Sequence, residues 1–264
     1  MADSILIFDS GAGGLSILNE IRKQLPGTDI HYLMDTALFP YGEQDDACLE
    51  ARIPDLCARS ATAFAPAAVV IACNTASTLS LAEVRSRIDI PVVGVVPAVR
   101  VAANRAREHR ETCVGLLATP ATVRRAYTDQ LIDDFAHDLQ VERFGAAGLV
   151  NLAEAALCGA DIRDELQQLI GPWLAQHPQM KRVVLGCTHY PLLNPALHEL
   201  WPETDWIDSG EAVARQTVRV YPHQTETTDT RGRISLHWTG SEEPSGVIRY
   251  LTDTGHLKQA ERFS

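Results

Sequence analysis

Cys73 and Cys187 are the two residues of this sequence best placed to do chemistry. Each ends an apolar run of the pattern V-V-x-x-C and is followed at once by polar donors, Asn74-Thr75 in one case and Thr188-His189 in the other. A thiol at such a strand-to-helix junction meets the free N–H groups of the helix start, which stabilise its thiolate. His189, two residues beyond Cys187, can lower the thiol's pKa or hand it a proton. Cys48, Cys57, Cys113 and Cys158 have no such setting and read as small hydrophobes. With no CxxC spacing, all six cysteines read as free thiols of a reducing compartment. An open zinc site made by Cys73, Cys187 and His189 is a second chemistry that the same residues allow.

Other candidates surround these two. Asp9 precedes Ser10-Gly11-Ala12-Gly13-Gly14, a run whose backbone donors can wrap an anion or simply start a helix. The GxGxxG spacing and a P-loop lysine are both missing, which argues against a nucleotide. Tyr41-Gly42-Glu43 reads as a turn, and Thr119-Pro120-Ala121-Thr122 as a helix start with Thr119 as its cap. None of these motifs contains Lys or Arg, so an anionic ligand would be held by hydroxyls and backbone amides at helix starts. Glu154, taken alone, reads as a solvated helix residue.

The elements that must position these groups form a βαβ pattern. Residues 5–8, 68–72, 91–95, 113–118 and 182–186 read as buried strands with helix-period segments between them. Their continuous hydrophobicity points to parallel strands covered on both faces. Four of the five run straight into the candidate residues, at the carboxyl edge where open parallel sheets bind ligands. The paired V-V-x-x-C runs suggest a pseudo-duplicated α/β protein: two similar, doubly wound lobes with the site in the cleft between them. The expected lobes are residues 1–96 with 208–264, and residues 97–207. Two local expectations accompany this: Pro54 should kink or interrupt a helix over 44–64, and residues 222–233 should form a surface loop before a last strand at 235–239.

Bulk properties remove whole classes of function. The chain has 264 residues, 45% of them hydrophobic, enough for a sizeable core. A net charge of −11 with 23 scattered basic residues argues against nucleic acid as a substrate. No apolar run is long enough for a signal peptide or a membrane span, so a cytoplasmic protein is expected.

The runs Asp9-Ser10-Gly11-Ala12-Gly13-Gly14-Leu15, Tyr41-Gly42-Glu43, Ala72-Cys73-Asn74-Thr75-Ala76-Ser77, Gly94-Val95-Val96-Pro97-Ala98 and Gly186-Cys187-Thr188-His189-Tyr190-Pro191-Leu192-Leu193 together resemble bacterial glutamate racemases, in the same order. The resemblance implies a cofactor-independent enzyme, with no metal, that inverts the α-carbon of glutamate to supply D-glutamate for peptidoglycan. Cys73 and Cys187 would be its two acid/bases, Asp9 supporting the first and His189 the second. Substrate contacts would fall on Ser10, Tyr41, Gly42, Asn74, Thr75, Thr119, Thr122 and Thr188. Glu154 takes a catalytic place near Cys187 through the resemblance alone, and a homodimer is implied. Ala12 and Ala121 stand where the family usually has Val and Gly.

Overall fold

The computed structural model describes residues 4–222 and 232–264. The chain divides into two compact units, one comprising Met1–Val95 and Gly210–Ser264, the other Val96–Ser209.

The first unit opens with β1 (Ser4–Asp9), α1 (Gly14–Gln24), β2 (Asp29–Met34), α2 (Asp46–Phe64), β3 (Ala68–Ile71), α3 (Asn74–Arg87) and β4 (Val92–Gly94). The second contains α4 (Val99–Glu108), β5 (Cys113–Ala118), α5 (Pro120–Arg124), α6 (Ala126–Phe135), β6 (Gln140–Gly145), α7 (Leu149–Leu157), α8 (Arg163–Gln176), β7 (Arg182–Leu185), α9 (Asn194–Leu200) and β8 (Asp205–Ile207). The chain then returns to the first unit with α10 (Gly210–Val220), β9 (Ile234–Trp238), α11 (Ser245–Asp253) and β10 (Leu257–Arg262).

Each unit holds one sheet in which every recorded strand pairing is parallel. The strand orders are β10-β9-β2-β1-β3-β4 and β6-β5-β7-β8. Within the first order lies β2-β1-β3-β4, which matches β6-β5-β7-β8 strand for strand. The two units are therefore built on one plan, and the first adds β9 and β10 at an edge. In both, the chain winds first to one side and then to the other, so the direction reverses between β1 and β3 and again between β5 and β7. Parallel α/β sheets bind ligands beyond the strand ends at such a reversal.

Successive Cβ atoms alternate across a strand, so a sheet covered on both faces needs apolar residues at every position. In the second unit Cys113 and Leu117 of β5 and Val183 and Leu185 of β7 pack with Leu149, Leu166, Ile170 and Trp173. The alternate residues Val114, Leu116, Ala118 and Val184 pack on the other face with Ala102, Ala103 and Leu131. Each fully buried Val or Leu contributes about 1.5–3 kcal/mol. An exposed ion pair such as Arg163–Asp161 contributes little, because water and salt screen it. Burial therefore dominates.

Several local expectations are corrected. Pro54 does not interrupt the helix: residues 46–64 form one helix through this buried proline, with Asp45 capping its start by accepting from the Cys48 N–H at 3.2 Å. The bond Pro54 cannot make is offset by its neighbours Ile53, Leu56 and Cys57, which are buried against Leu6, Phe8 and Val69. The strand expected at 235–239 runs over Ile234–Trp238 and is not the last, because β10 follows it. Of the loop expected at 222–233, residues 223–231 lie outside the described residues.

Along the β2–β9 pairing, His31 Nδ1 lies 3.2 Å from His237 Nε2, and both rings stack on Phe64. Burial and then the His31 charge push His237 down to about 4 from 6.5, and the exposed Glu261 carboxylate, 3.4 Å away, does not offset this. A depressed histidine contributes stability that is full above its unfolded pKa and lost as pH falls through the folded one. Urea midpoints are therefore expected to fall between pH 6.5 and about 4, and His237→Gln should flatten that dependence. An equally steep profile in the variant would contradict this account.

Candidate active site

In the first unit, the ends of β1 and β3 bring Asp9, Ser10 and Cys73 together. All three are buried. Asp9 Oδ1 accepts from the Gly11 N–H at 3.0 Å and from the Ser10 hydroxyl at 3.4 Å, and that hydroxyl lies 4.0 Å from Cys73 Sγ. Ser10 thus sits between the carboxylate and the thiol. Cys73 is the residue before α3, in extended conformation (φ −82°, ψ 124°), so the first-turn N–H groups favour negative charge beside it. The first helical residue, Asn74, is 4% exposed, and its Oδ1 has no hydrogen-bond partner. A buried unpaired acceptor is costly unless a ligand donor meets it. Thr75 is buried next to it.

The Gly-rich run serves as the turn into α1. The Tyr32 hydroxyl donates to the Gly11 carbonyl at 2.6 Å, and a Cβ on Gly14 would stand 2.8 Å from the Tyr32 ring. Glycine is needed at position 14 for that close approach. Tyr41 and Gly42 lie in a short 3-10 turn, Tyr41–Glu43. The Tyr41 ring is buried and its hydroxyl donates to Asp35 Oδ2 at 2.6 Å. Burial, reinforced by the Asp35 charge, pushes the Tyr41 phenol far above its usual range, so it keeps that proton. The Tyr41 hydroxyl proton is thus committed to Asp35.

In the second unit, the equivalent strand ends, of β5 and β7, carry Thr119 and Cys187. Thr119 caps α5, accepting from the Thr122 N–H at 3.2 Å, and the two hydroxyls lie 2.9 Å apart. Gly186, at the end of β7, lies where a Cβ would come within 2.9 Å of the Ala118 Cβ. Cys187, Thr188 and His189 are buried. Cys187 Sγ lies 4.0 Å from His189 Nδ1, and His189 Nε2 lies 3.0 Å from Glu154 Oε1 on α7. With its Nε2 proton directed at the Glu154 carboxylate, the ring turns a lone pair on Nδ1 toward the thiol. The three side chains thus form one continuous line of polar contacts.

The two thiols are not in identical settings. Cys73 directly precedes a helix of 14 residues, whereas Cys187 is followed by a 3-10 turn, Tyr190–Leu193, before the seven-residue α9. The helix-start support expected for both is therefore strong only at Cys73, and Cys187 has an imidazole instead.

Sequence reasoning did not reach Asp35, Arg52 or Tyr32. The signal for Asp35 was present, because Leu33-Met34-Asp35 ends β2 much as Ile7-Phe8-Asp9 ends β1.

Residues 10–217 match the family described as Asp/Glu/Hydantoin racemase. The chain is 46% identical over 223 residues to the glutamate racemase of Klebsiella pneumoniae, an alignment covering 84% of this chain and 78% of that protein. This chain belongs to the glutamate racemase family. Among solved family members, the Escherichia coli glutamate racemase in complex with L-glutamate and the activator UDP-MurNAc-ala superimposes with a TM-score of 0.90 at 38% identity, covering 100% of this chain and 99% of that one. The glutamate racemase of Aquifex pyrophilus gives a TM-score of 0.73 at 27% identity over 98% of both chains. The glutamate racemase fold accordingly extends over the β9–β10 return as well as the segment matched by the family. No helix among the described residues is long and apolar enough to cross a membrane.

Proposed function

We propose that this protein interconverts L- and D-glutamate without a cofactor, using Cys73 and Cys187 as acid/bases on opposite faces of the α-carbon. The observation that carries the proposal is the equivalence of β3 and β7: two strands at the same place in one repeated plan each end in a buried cysteine, and each cysteine has its own proton-handling neighbours. The family adds the substrate, since the relatives are glutamate racemases and one of them is solved with L-glutamate.

An α-hydrogen beside a carboxylate is very weakly acidic, so its removal needs a positioned base and stabilisation of the charge that develops. One base on one face cannot invert the centre. In the proposed cycle one cysteine, as thiolate, takes the α-proton while the other, as thiol, delivers a proton to the opposite face. The roles exchange for the reverse direction. Asp9 and Ser10 serve Cys73, and His189 with Glu154 serves Cys187. A free thiol pKa of about 8.5 lies close enough to neutrality for such neighbours to set these states. Asn74 Oδ1 is an acceptor suited to the substrate ammonium, while the hydroxyls and amides of Ser10, Gly42, Thr75, Thr119, Thr122 and Thr188, with the backbone of Tyr41, hold its carboxylates. In the cell the reaction would supply D-glutamate for peptidoglycan, in the cytoplasm and from a homodimer.

The test is incubation of metal-free, pyridoxal-free protein with L-glutamate in heavy water, following chirality and α-deuterium together. D-Glutamate labelled at the α-position is expected, with aspartate and hydantoins left unchanged. Glutamate binding without deuterium uptake would instead indicate a sensor, and activity lost to a chelator would point to the zinc alternative.

A further inference from the structure

Asp35 is fully buried, directly beyond the carboxyl end of β2, and its backbone N–H donates to the Asp9 carbonyl at 2.9 Å. Four donors converge on its two carboxylate oxygens. Arg52 Nη2 (2.6 Å) and the Thr239 hydroxyl (2.5 Å) reach Oδ1, while Arg52 Nε (2.6 Å) and the Tyr41 hydroxyl (2.6 Å) reach Oδ2. Burial works against the charged form, yet these hydrogen bonds outweigh it and hold the Asp35 carboxyl below the usual carboxylate range. The network joins four places in the first unit: the end of β2, the middle of α2, the residue after β9 and the Tyr41–Glu43 turn. Thr239 Oγ1 also accepts from the Ala37 N–H at 3.1 Å, and the Gly240 N–H donates to Thr36 Oγ1 at 2.8 Å, so the start of the connection between β2 and that turn is tied to the residues after β9. The Tyr41 ring belongs to the apolar cluster that includes Phe8 and Cys73.

A buried ion pair stabilises a fold less than apolar packing of the same volume would. What a saturated, bidentate carboxylate does supply is geometry. We infer that the Asp35–Arg52 pair, with Thr239, is a positioning device that holds the Tyr41–Gly42 turn in the conformation that receives glutamate. The inference rests on the glutamate reading above and adds Arg52, Asp35 and Thr239 to it as positioning residues. They act on binding of both enantiomers and not on proton transfer. Loss of such a device removes interaction energy common to ground and transition states, which raises KM and leaves kcat in place.

Arg52→Met keeps the length of the side chain and removes its fork; Arg52→Lys keeps one charge-assisted bond. Wild type and both variants are compared in racemisation kinetics from each enantiomer, glutamate affinity by calorimetry, and thermal unfolding. For Arg52→Met, KM is expected to rise about tenfold in both directions with kcat within about twofold of wild type, and Arg52→Lys should fall between the two. Should Arg52→Met fail to fold, Thr239→Val, which removes a single donor, carries the same expectation at reduced size. A folded Arg52→Met with wild-type KM, or one whose loss is all in kcat, overturns the inference while the glutamate reading stands. A wild type that binds glutamate without racemising it contradicts that reading instead, and the affinity difference between wild type and Arg52→Met then decides the positioning role. Absence of both binding and turnover overturns both.

Discussion

Replacing either Cys73 or Cys187 by alanine is expected to lower racemisation about a thousandfold or more in both directions, the scale on which a positioned acid or base contributes. Each substitution strips one face of the α-carbon of its proton carrier, so inversion stops even where deprotonation survives. The remaining thiol can still remove and return a proton on its own side. Each variant should therefore exchange the α-hydrogen of one enantiomer with heavy water, slowly and with retention, and the two variants should choose opposite enantiomers. Proton NMR of the α-position, run on L- and D-glutamate separately, reads this directly. Racemisation at the wild-type rate in either variant would remove the two-thiol assignment.

The second large effect is expected at His189. His189→Asn should reduce kcat about a hundredfold with little change in KM, because the loss falls on proton transfer and not on holding the substrate. The ring bridges Cys187 at 4.0 Å and Glu154 at 3.0 Å. Glu154→Gln is expected to do less, about tenfold. A glutamine carbonyl can still accept from Nε2 and keep the lone pair on Nδ1 facing sulfur, but it offers no charge to an imidazolium. If His189→Asn changed KM and left kcat alone, the imidazole would be a substrate ligand and not part of the proton transfer.

The strands legible in the sequence were those buried on both faces. β1, β3, β5, β7 and β9 have every position buried, and β4 all but its half-buried Gly94, so these six stand out without any partner in view. β6 and β10 are largely polar edge strands, Gln140–Gly145 and Leu257–Arg262, whose outer positions face water and carry no apolar pattern. β2 begins with Asp29 and alternates through His31, and β8 has only three residues. The chemistry divides in the same way. Cys73, Asp9 and Cys187 were visible because each ends one of the apolar runs. Glu154 was not, since on an amphipathic helix it looks like any solvated carboxylate until the fold sets it against His189. Arg52 and Thr239 were hidden for the same reason, being separated from Asp35 by 17 and 204 positions along the chain. The helix through Pro54 shows the converse, a strong local breaker overruled by the burial of its neighbours.

Ser10 and a long helix attend Cys73, an imidazole attends Cys187, and so the machinery is not its own mirror image although its two ligands are. Mirror-image molecules have equal free energy in water, and the Haldane relation then requires kcat/KM to be the same from either side. Unequal half-reactions have only one outlet: the enantiomer that turns over faster must also show the weaker apparent binding, by the same factor.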